Sequence, residues 1–251
     1  MTAPLLLLAA VLGAWELYVV VSAVDPLILP SPVDVASALW DDRGTLWTAL
    51  GPTALEVAAG LGAALLVGLV LALVLHAMPL AHRAIYPWVV ASQTVPFVVI
   101  APLLVFWLGF GLGPNLVIVA LICFFPVVVT TVNGLAEVDP DLLKVVRTLG
   151  ASRWQTLRRV ELPSALPALF SGARISVAIA VIAAVLAEQT ASSDGIGLLL
   201  KLSDAQYDAA RSYAALVVLA VFALGLIGAL TLIERWAMPW APRIRRGGST
   251  A

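Results

Sequence analysis

Between Arg83 and Glu137 no residue carries a charge. A bilayer crossing takes about 20 consecutive apolar residues in a helix, and this stretch is long enough for two. Gly109-Phe-Gly-Leu-Gly-Pro-Asn115 breaks it near the middle with the residues of a turn. The rest of the chain has the same character. Hydrophobic residues make up 62% and charged residues 12%, and the mean hydropathy is +1.04. A soluble domain carries roughly twice that share of charge. The solvent for this fold is therefore lipid. A net charge of -1 offers no bulk attraction for nucleic acid.

Apolar runs of the right length predict six helical spans. They cover Ala3–Val24, Val57–Leu75, Ala84–Leu108, Asn115–Asn133, a fifth after Pro167 reaching about Ala187, and a sixth from about Ala209 to Ile233. No Lys or Arg precedes the first, so it is not read as a secretory signal peptide. The fold class is an all-α polytopic membrane protein with one transmembrane domain over 1–251. Residues 1–50 hold the first span and an external loop. Residues 51–240 hold the core bundle with a polar loop at 137–165, and 241–251 form a basic tail. Gly60, Ala64, Gly68 and Ala72 recur every four residues in the second span, a small-residue stripe that admits a neighbouring helix.

Charge then sets direction, because basic residues accumulate on the cytoplasmic side. One side holds Arg83, Lys144, Arg147, Arg153, Arg158, Arg159, Arg235, Arg243, Arg245 and Arg246. The other holds only Arg43, Lys201 and Arg211 among many acids. Both termini come out cytoplasmic, and 26–50 is external with a short helix after Pro32. The three arginines of the tail suit anionic lipid.

The largest interruption in the apolar pattern is Asp139 to Pro163. Asp139 caps a helix with Pro140 at its first position. Gly150 suits the left-handed residue that ends it. Ser152 and Gln155 have the spacing of a capping box for a second helix. Leu142, Leu143, Val146 and Leu149 form one apolar stripe, and Trp154, Leu157 and Val160 another. Two short amphipathic helices at a membrane surface, each offering an apolar face to a partner, are expected.

Candidate pathway residues lie elsewhere. Pro87, Pro96 and Pro102 interrupt the third span beside Gln93 and Thr94. A broken helix is tolerated in a membrane only where protein or water receives the freed carbonyls. Glu188, at the outer end of the fifth span, is an ionisable group at membrane depth and so a functional candidate. Gln189 is its polar neighbour. Arg174 is expected to snorkel toward inner-leaflet phosphates. Glu16 and Glu56 lack an evident partner. His76 and His82 flank a turn and are read as interfacial, and Cys123 as a packing residue.

The polar loop resembles the cytoplasmic coupling loop in permease subunits of ATP-binding-cassette importers of the binding-protein-dependent class. Gly150 is followed by nine residues and then Val160-Glu-Leu-Pro163, as in that family. The family's Glu-Ala-Ala is replaced by Lys144-Val-Val146, which leaves no salt bridge to assign there. Leu29-Pro-Ser-Pro32, Val95-Pro-Phe-Val-Val-Ile-Ala-Pro-Leu103, Phe124-Phe-Pro126, and Glu188 followed by Gly195-Ile-Gly197 are similar to the nitrate, sulfonate, taurine and thiamine-precursor subgroup. Ser92-Gln-Thr-Val-Pro96, Phe170-Ser-Gly172 and Glu234-Arg with Met238-Pro-Trp240 look most like permeases for the thiamine pyrimidine precursor or riboflavin.

The resemblance implies a type I importer in a bacterial inner membrane. Two copies of the permease would form the pore, two ATPase subunits would bind inside, and an external binding protein or lipoprotein would deliver the solute. It implies that Leu142, Val146, Arg147, Leu149, Gly150 and Ala151 couple to the ATPase, together with Ser152, Trp154, Leu157, Leu162 and Pro163. The pathway would use Gln93, Thr94, Pro96, Glu188 and Gln189. No phosphate-binding Gly-rich loop is present, so ATP and magnesium would belong to the partner and this chain would be non-catalytic. A membrane enzyme would need a catalytic constellation that two histidines do not supply. A membrane anchor or receptor subunit would not need the Gly150-to-Pro163 spacing.

Overall fold

The computed structural model describes residues 2–240, and every regular element in them is helical. Arg243, Arg245 and Arg246 of the basic tail lie outside the described residues. The helices are α1 (Thr2–Val21), α2 (Pro32–Asp41), α3 (Arg43–Ala77), α4 (Pro79–Ala91), α5 (Phe97–Leu108), α6 (Leu112–Ala136), α7 (Pro140–Thr148), α8 (Arg153–Thr156), α9 (Leu162–Ala191), α10 (Ile196–Ala205) and α11 (Ala209–Ala237).

Five helical stretches are long and apolar enough to cross a bilayer: Ala3–Val21, Arg43–Ala77, Leu112–Ala136, Arg153–Thr190 and Ala209–Ala237. The third expected span is not one rod. α4 and α5 are bent by 107° across a short break. Pro96 explains it, since it lacks an N–H and forces the preceding residue out of the helical region. Val95 is accordingly extended, at φ -85° and ψ 121°. At about 1.5 Å per residue, neither half alone reaches across the apolar layer.

The core is the packing of α6 against α9 and α3. Gly60, Ala64, Gly68 and Ala72 are all buried along α3, and the stripe faces α6. A Cβ at Gly60 would stand 2.7 Å from the Val119 side chain, and one at Gly68 2.8 Å from Val127. Glycine is required there by close approach. α1 sits at the periphery and is exposed along most of its length, with Trp15 against Tyr213 of α11 at 5.9 Å between rings. Arg174, expected to snorkel, pairs with Glu234 of α11.

The end of the bundle that carries α2 is more ordered than the sequence suggests. Ser31 and Asp34 form a full capping box at the start of α2, and Glu16 accepts the Val33 N–H at 3.4 Å. Arg211 binds both carboxylate oxygens of Asp42, at 2.9 and 3.1 Å, joining α11 to the α2–α3 junction. The stretch between the fifth and sixth spans contains α10, whose Ile196 and Leu200 are buried against the bundle.

Candidate functional site

The polar loop begins as expected. Asp139 accepts the Asp141 N–H at 2.8 Å, and Pro140 opens α7. The helix ends in a Schellman motif: Gly150 N–H donates to Arg147 O at 2.9 Å and Ala151 N–H to Val146 O at 3.2 Å. Gly150 has φ +82°, which a β-branched residue adopts only under strain. Ser152 and Gln155 then close the capping box.

The break at Gly150 is present, but the second helix is not the short one expected. α8 is a single turn. It runs through a π-helical turn at Leu157–Glu161 directly into α9, with Leu162 and Pro163 already in that helix. Extra-residue turns of this kind absorb a register shift between two helical stretches and recur at functional positions. The second helix continues because nothing between Thr156 and Pro163 terminates it. Pro163 follows the π-helical turn inside this continuous helix, where the wider turn accommodates the N–H that proline lacks.

The apolar face also differs in detail. Leu143 and Val146 are half-buried against the protein, whereas Leu142, Val145, Leu149 and Trp154 are exposed. Leu149 is 81% exposed and Trp154 65%. Leu142, Val145 and Leu149 share one side of α7 by their three- and four-residue spacing. Arg147 and Ser152 are exposed beside them, while Ala151 and Leu157 are half-buried. Thr156 is buried, its hydroxyl donating to Ser152 O.

A contact that sequence reasoning missed ties this loop to the bundle. His76, in the last turn of α3, lies 3.2 Å from Glu161 in the π-helical turn. His76, His82 and Arg83 also line a cavity of about 250 Å³ at this end.

The pathway candidates separate into two groups. Gln93, Thr94 and Pro96 lie at the α4–α5 break and are exposed. The Thr94 hydroxyl donates to Ala91 O and the Ser92 hydroxyl to Val89 O, both at 2.7 Å. Local carbonyls left free by the break are thus satisfied by side chains. Gln189 is half-buried, and its carbonyl receives Lys201 Nζ at 2.9 Å.

Glu188 is not at the surface of the chain. It is fully buried between α3, α6, α9 and α10. Its Oε2 accepts the Gly197 N–H, and a Cβ at Gly195 would fall on its carboxyl group. The α10 N-terminus offers unpaired backbone donors, which is why the carboxyl turns inward. Glu56, 2% exposed, accepts Asn115 Nδ2 at 2.8 Å, and Thr53 accepts the Ile196 N–H at 2.9 Å. Thr53, Asn115 and Gly197 were not singled out as site residues. The only signal for them was the Glu188 to Gly197 run.

A polytopic helical bundle with an exposed apolar face on an otherwise basic loop is the form of a transport permease driven by a separate subunit. The chain belongs to the family described as binding-protein-dependent transport system inner membrane component, whose pattern matches residues 64–239. It is a multi-pass membrane permease of the ABC importer class. A riboflavin transport system permease, RibX, of Chloroflexus aurantiacus is 35% identical over 233 residues, 90% of this chain and 85% of its own length. A formylaminopyrimidine transport permease, ThiX, of Halalkalibacterium halodurans is 31% identical over 218 residues, 86% of each. A taurine permease, TauC, of Escherichia coli is 28% identical over 240 residues, 93% of this chain and 87% of its own length. The fold is similar to an inward-facing structure of the MetNI methionine ABC transporter. The TM-score is 0.67 at 21% identity, over 77% of this chain and 98% of that one.

Proposed function

We propose that this permease works as a pair of copies, with α7 and the Gly150 turn seated in a groove on each of two cytoplasmic ATPase subunits. The observation that carries this reading is the exposed apolar face of Leu142, Val145, Leu149 and Trp154. It is held rigid by a Schellman motif and a capping box. An amphipathic helix of this kind is suited to helix-in-groove recognition. The chain itself contributes no chemistry, and ATP and magnesium sit on the ATPase. Both termini are cytoplasmic, following the distribution of basic residues.

Mechanical coupling follows from the continuity between the loop and α9. A push on α7 reaches α9 through the π-helical turn, and α3 through His76 and Glu161. Rigid-body rocking of the two halves then opens the path alternately. Gln93, Thr94, Pro96 and Gln189 border that path, and Glu188 holds its wall from behind. An external binding protein delivers the solute.

The solute class we favour is a thiamine pyrimidine precursor or a riboflavin-like heteroaromatic. This rests on the similarity to permeases named for those solutes. Sulfonate or taurine is the second reading, resting on the similarity to permeases named for them. Uptake of labelled formylaminopyrimidine, riboflavin and taurine by cells carrying the complete importer tests the assignment. Accumulation of one that needs both this permease and ATP hydrolysis supports it. Failure of all three to accumulate rejects it.

A further inference from the structure

The corner between α3 and α4 encloses a cavity that the coupling mechanism leaves unused. Met78 is extended there, at φ -125° and ψ 97°, so α4 leaves α3 at an angle. The last turn of α3 supplies Leu75 and His76 to the cavity, and the start of α4 supplies His82 and Arg83. Val132 and Ala136, at the end of α6, close the third side. The enclosed volume is about 250 Å³.

No residue lining this cavity is acidic. Arg83 is exposed and makes no ion pair among the described residues. The His82 ring stacks on Tyr86 at 4.8 Å between centroids and 11° between planes, which fixes the imidazole and leaves its nitrogens at the ring edge. Glu161, the nearby carboxylate, is already matched by His76 Nε2. Glu137 follows Ala136 but is exposed and does not line the cavity. A concave site with an unpaired guanidinium and two imidazoles is complementary to an anion. The planar guanidinium suits phosphate in particular, because it meets two of its oxygens in parallel.

The apolar walls indicate what carries the phosphate. The apolar run of α3 ends at Leu75, so the cavity lies where hydrocarbon gives way to headgroups. Leu75 and Val132 form one wall, and Met78 and Leu80 stand exposed at the corner. A free anion gains nothing from that surface, whereas a phospholipid uses both parts. We propose that the α3–α4 corner binds a phosphate group through Arg83 and His82, and that an anionic membrane phospholipid carries it. Basic pockets between membrane helices hold headgroups in this way. The bound headgroup ties α4 to the ends of α3 and α6.

The complete importer in phosphate-free detergent solution tests this. It is titrated with short-chain phosphatidylglycerol, with phosphatidylcholine of the same chains, and with inorganic phosphate. The melting midpoint is followed, and bound lipid is counted by native mass spectrometry. Phosphatidylglycerol should raise the midpoint and stay bound, and phosphatidylcholine should do so less, since its own cation offsets the phosphate. Arg83→Gln should bind phosphatidylglycerol roughly tenfold more weakly, the effect of losing one hydrogen bond to a charged group. Arg83→Lys should lie between, keeping the charge without the fork. Ala136→Phe fills the cavity with every charge in place and should abolish binding. Arg235→Gln removes a charge from α11, away from the cavity, and should not. Arg83, Ala136 and Arg235 are all exposed, so these variants should assemble. A rise with inorganic phosphate that needs Arg83, with no lipid effect, would keep the phosphate site and overturn the lipid as its carrier. Equal lipid binding in wild type, Arg83→Gln and Ala136→Phe overturns the site. So does an equal loss in Arg83→Gln and Arg235→Gln, since net charge alone would then attract the lipid.

Discussion

His76 Nε2 stands 3.2 Å from Glu161 Oε2, and this contact joins the C-terminal end of α3 to the turn where the polar loop becomes α9. Glu161 is 8% exposed, so losing its partner leaves a carboxylate poorly solvated. His76→Ala is expected to cost about 1–3 kcal/mol, the usual penalty for orphaning a buried polar group. The functional effect should exceed the stability effect. Uptake per ATP hydrolysed should fall in His76→Ala and in Glu161→Gln, and the double variant should be no worse than either single one. Additive losses in that cycle would mean that the two side chains act independently.

Gly150→Val forces a β-branched residue into φ +82°. Strain of about 1–3 kcal/mol in that region is enough to unwind the Schellman turn without disturbing the spans. Membrane abundance should stay normal while uptake is lost. Wild-type uptake in this variant would rule out a coupling role for the turn.

Leu149→Ala removes the most exposed large side chain of the docking face. Loss of a central apolar contact typically costs about 1–2 kcal/mol of binding. Co-purification of the ATPase should weaken roughly tenfold, as 1.4 kcal/mol corresponds to that factor. A cysteine at Ser152 should crosslink to the ATPase and one at Thr156 should not, since Thr156 is buried within the loop. Labelling of Ser152→Cys from outside intact cells would invert the topology.

Gly68→Ala places a methyl group 2.8 Å from the Val127 side chain. Overpacking at such a contact costs about 1–3 kcal/mol, so the melting midpoint should fall. Gly62→Ala is the control, because its Cβ meets nothing within 4 Å and Gly62 is exposed. That variant should match or exceed wild type, as alanine is the better helix former. Equal midpoints for the two would show that α3 and α6 are not in close contact.

Gln93→Ala and Thr94→Val test the path at the α4–α5 break. Both side chains are exposed, so assembly should be unaffected. Transport should change in at least one, through solute affinity or rate. Unaltered uptake in both would return these residues to a packing role.

The number of apolar segments, the position of the polar loop and its caps could be read from the chain alone. They depend on interactions within a few residues. Charge-free length decides what lipid accepts, Asp139 and Pro140 start a helix wherever they are, and Gly150 ends it because of its own backbone. The small-residue stripe on α3 was legible for the same reason, since a four-residue repeat defines a helix face.

Only the tertiary structure decided which side chains meet. Glu56 and Asn115 are far apart in sequence, and their bond exists because α3 and α6 pack closely along the glycine stripe. Glu188 reads as a pathway residue while α10 is invisible. Once α10 folds back, its first N–H groups reach the carboxyl, which turns toward them. The fusion of the second loop helix with α9, and the pairing of Arg174 with Glu234, arise in the same way. Local pattern specifies each helix, but the cost of leaving a polar group unpaired in a low-dielectric interior chooses its partner, and that choice depends on helices that the local pattern does not connect.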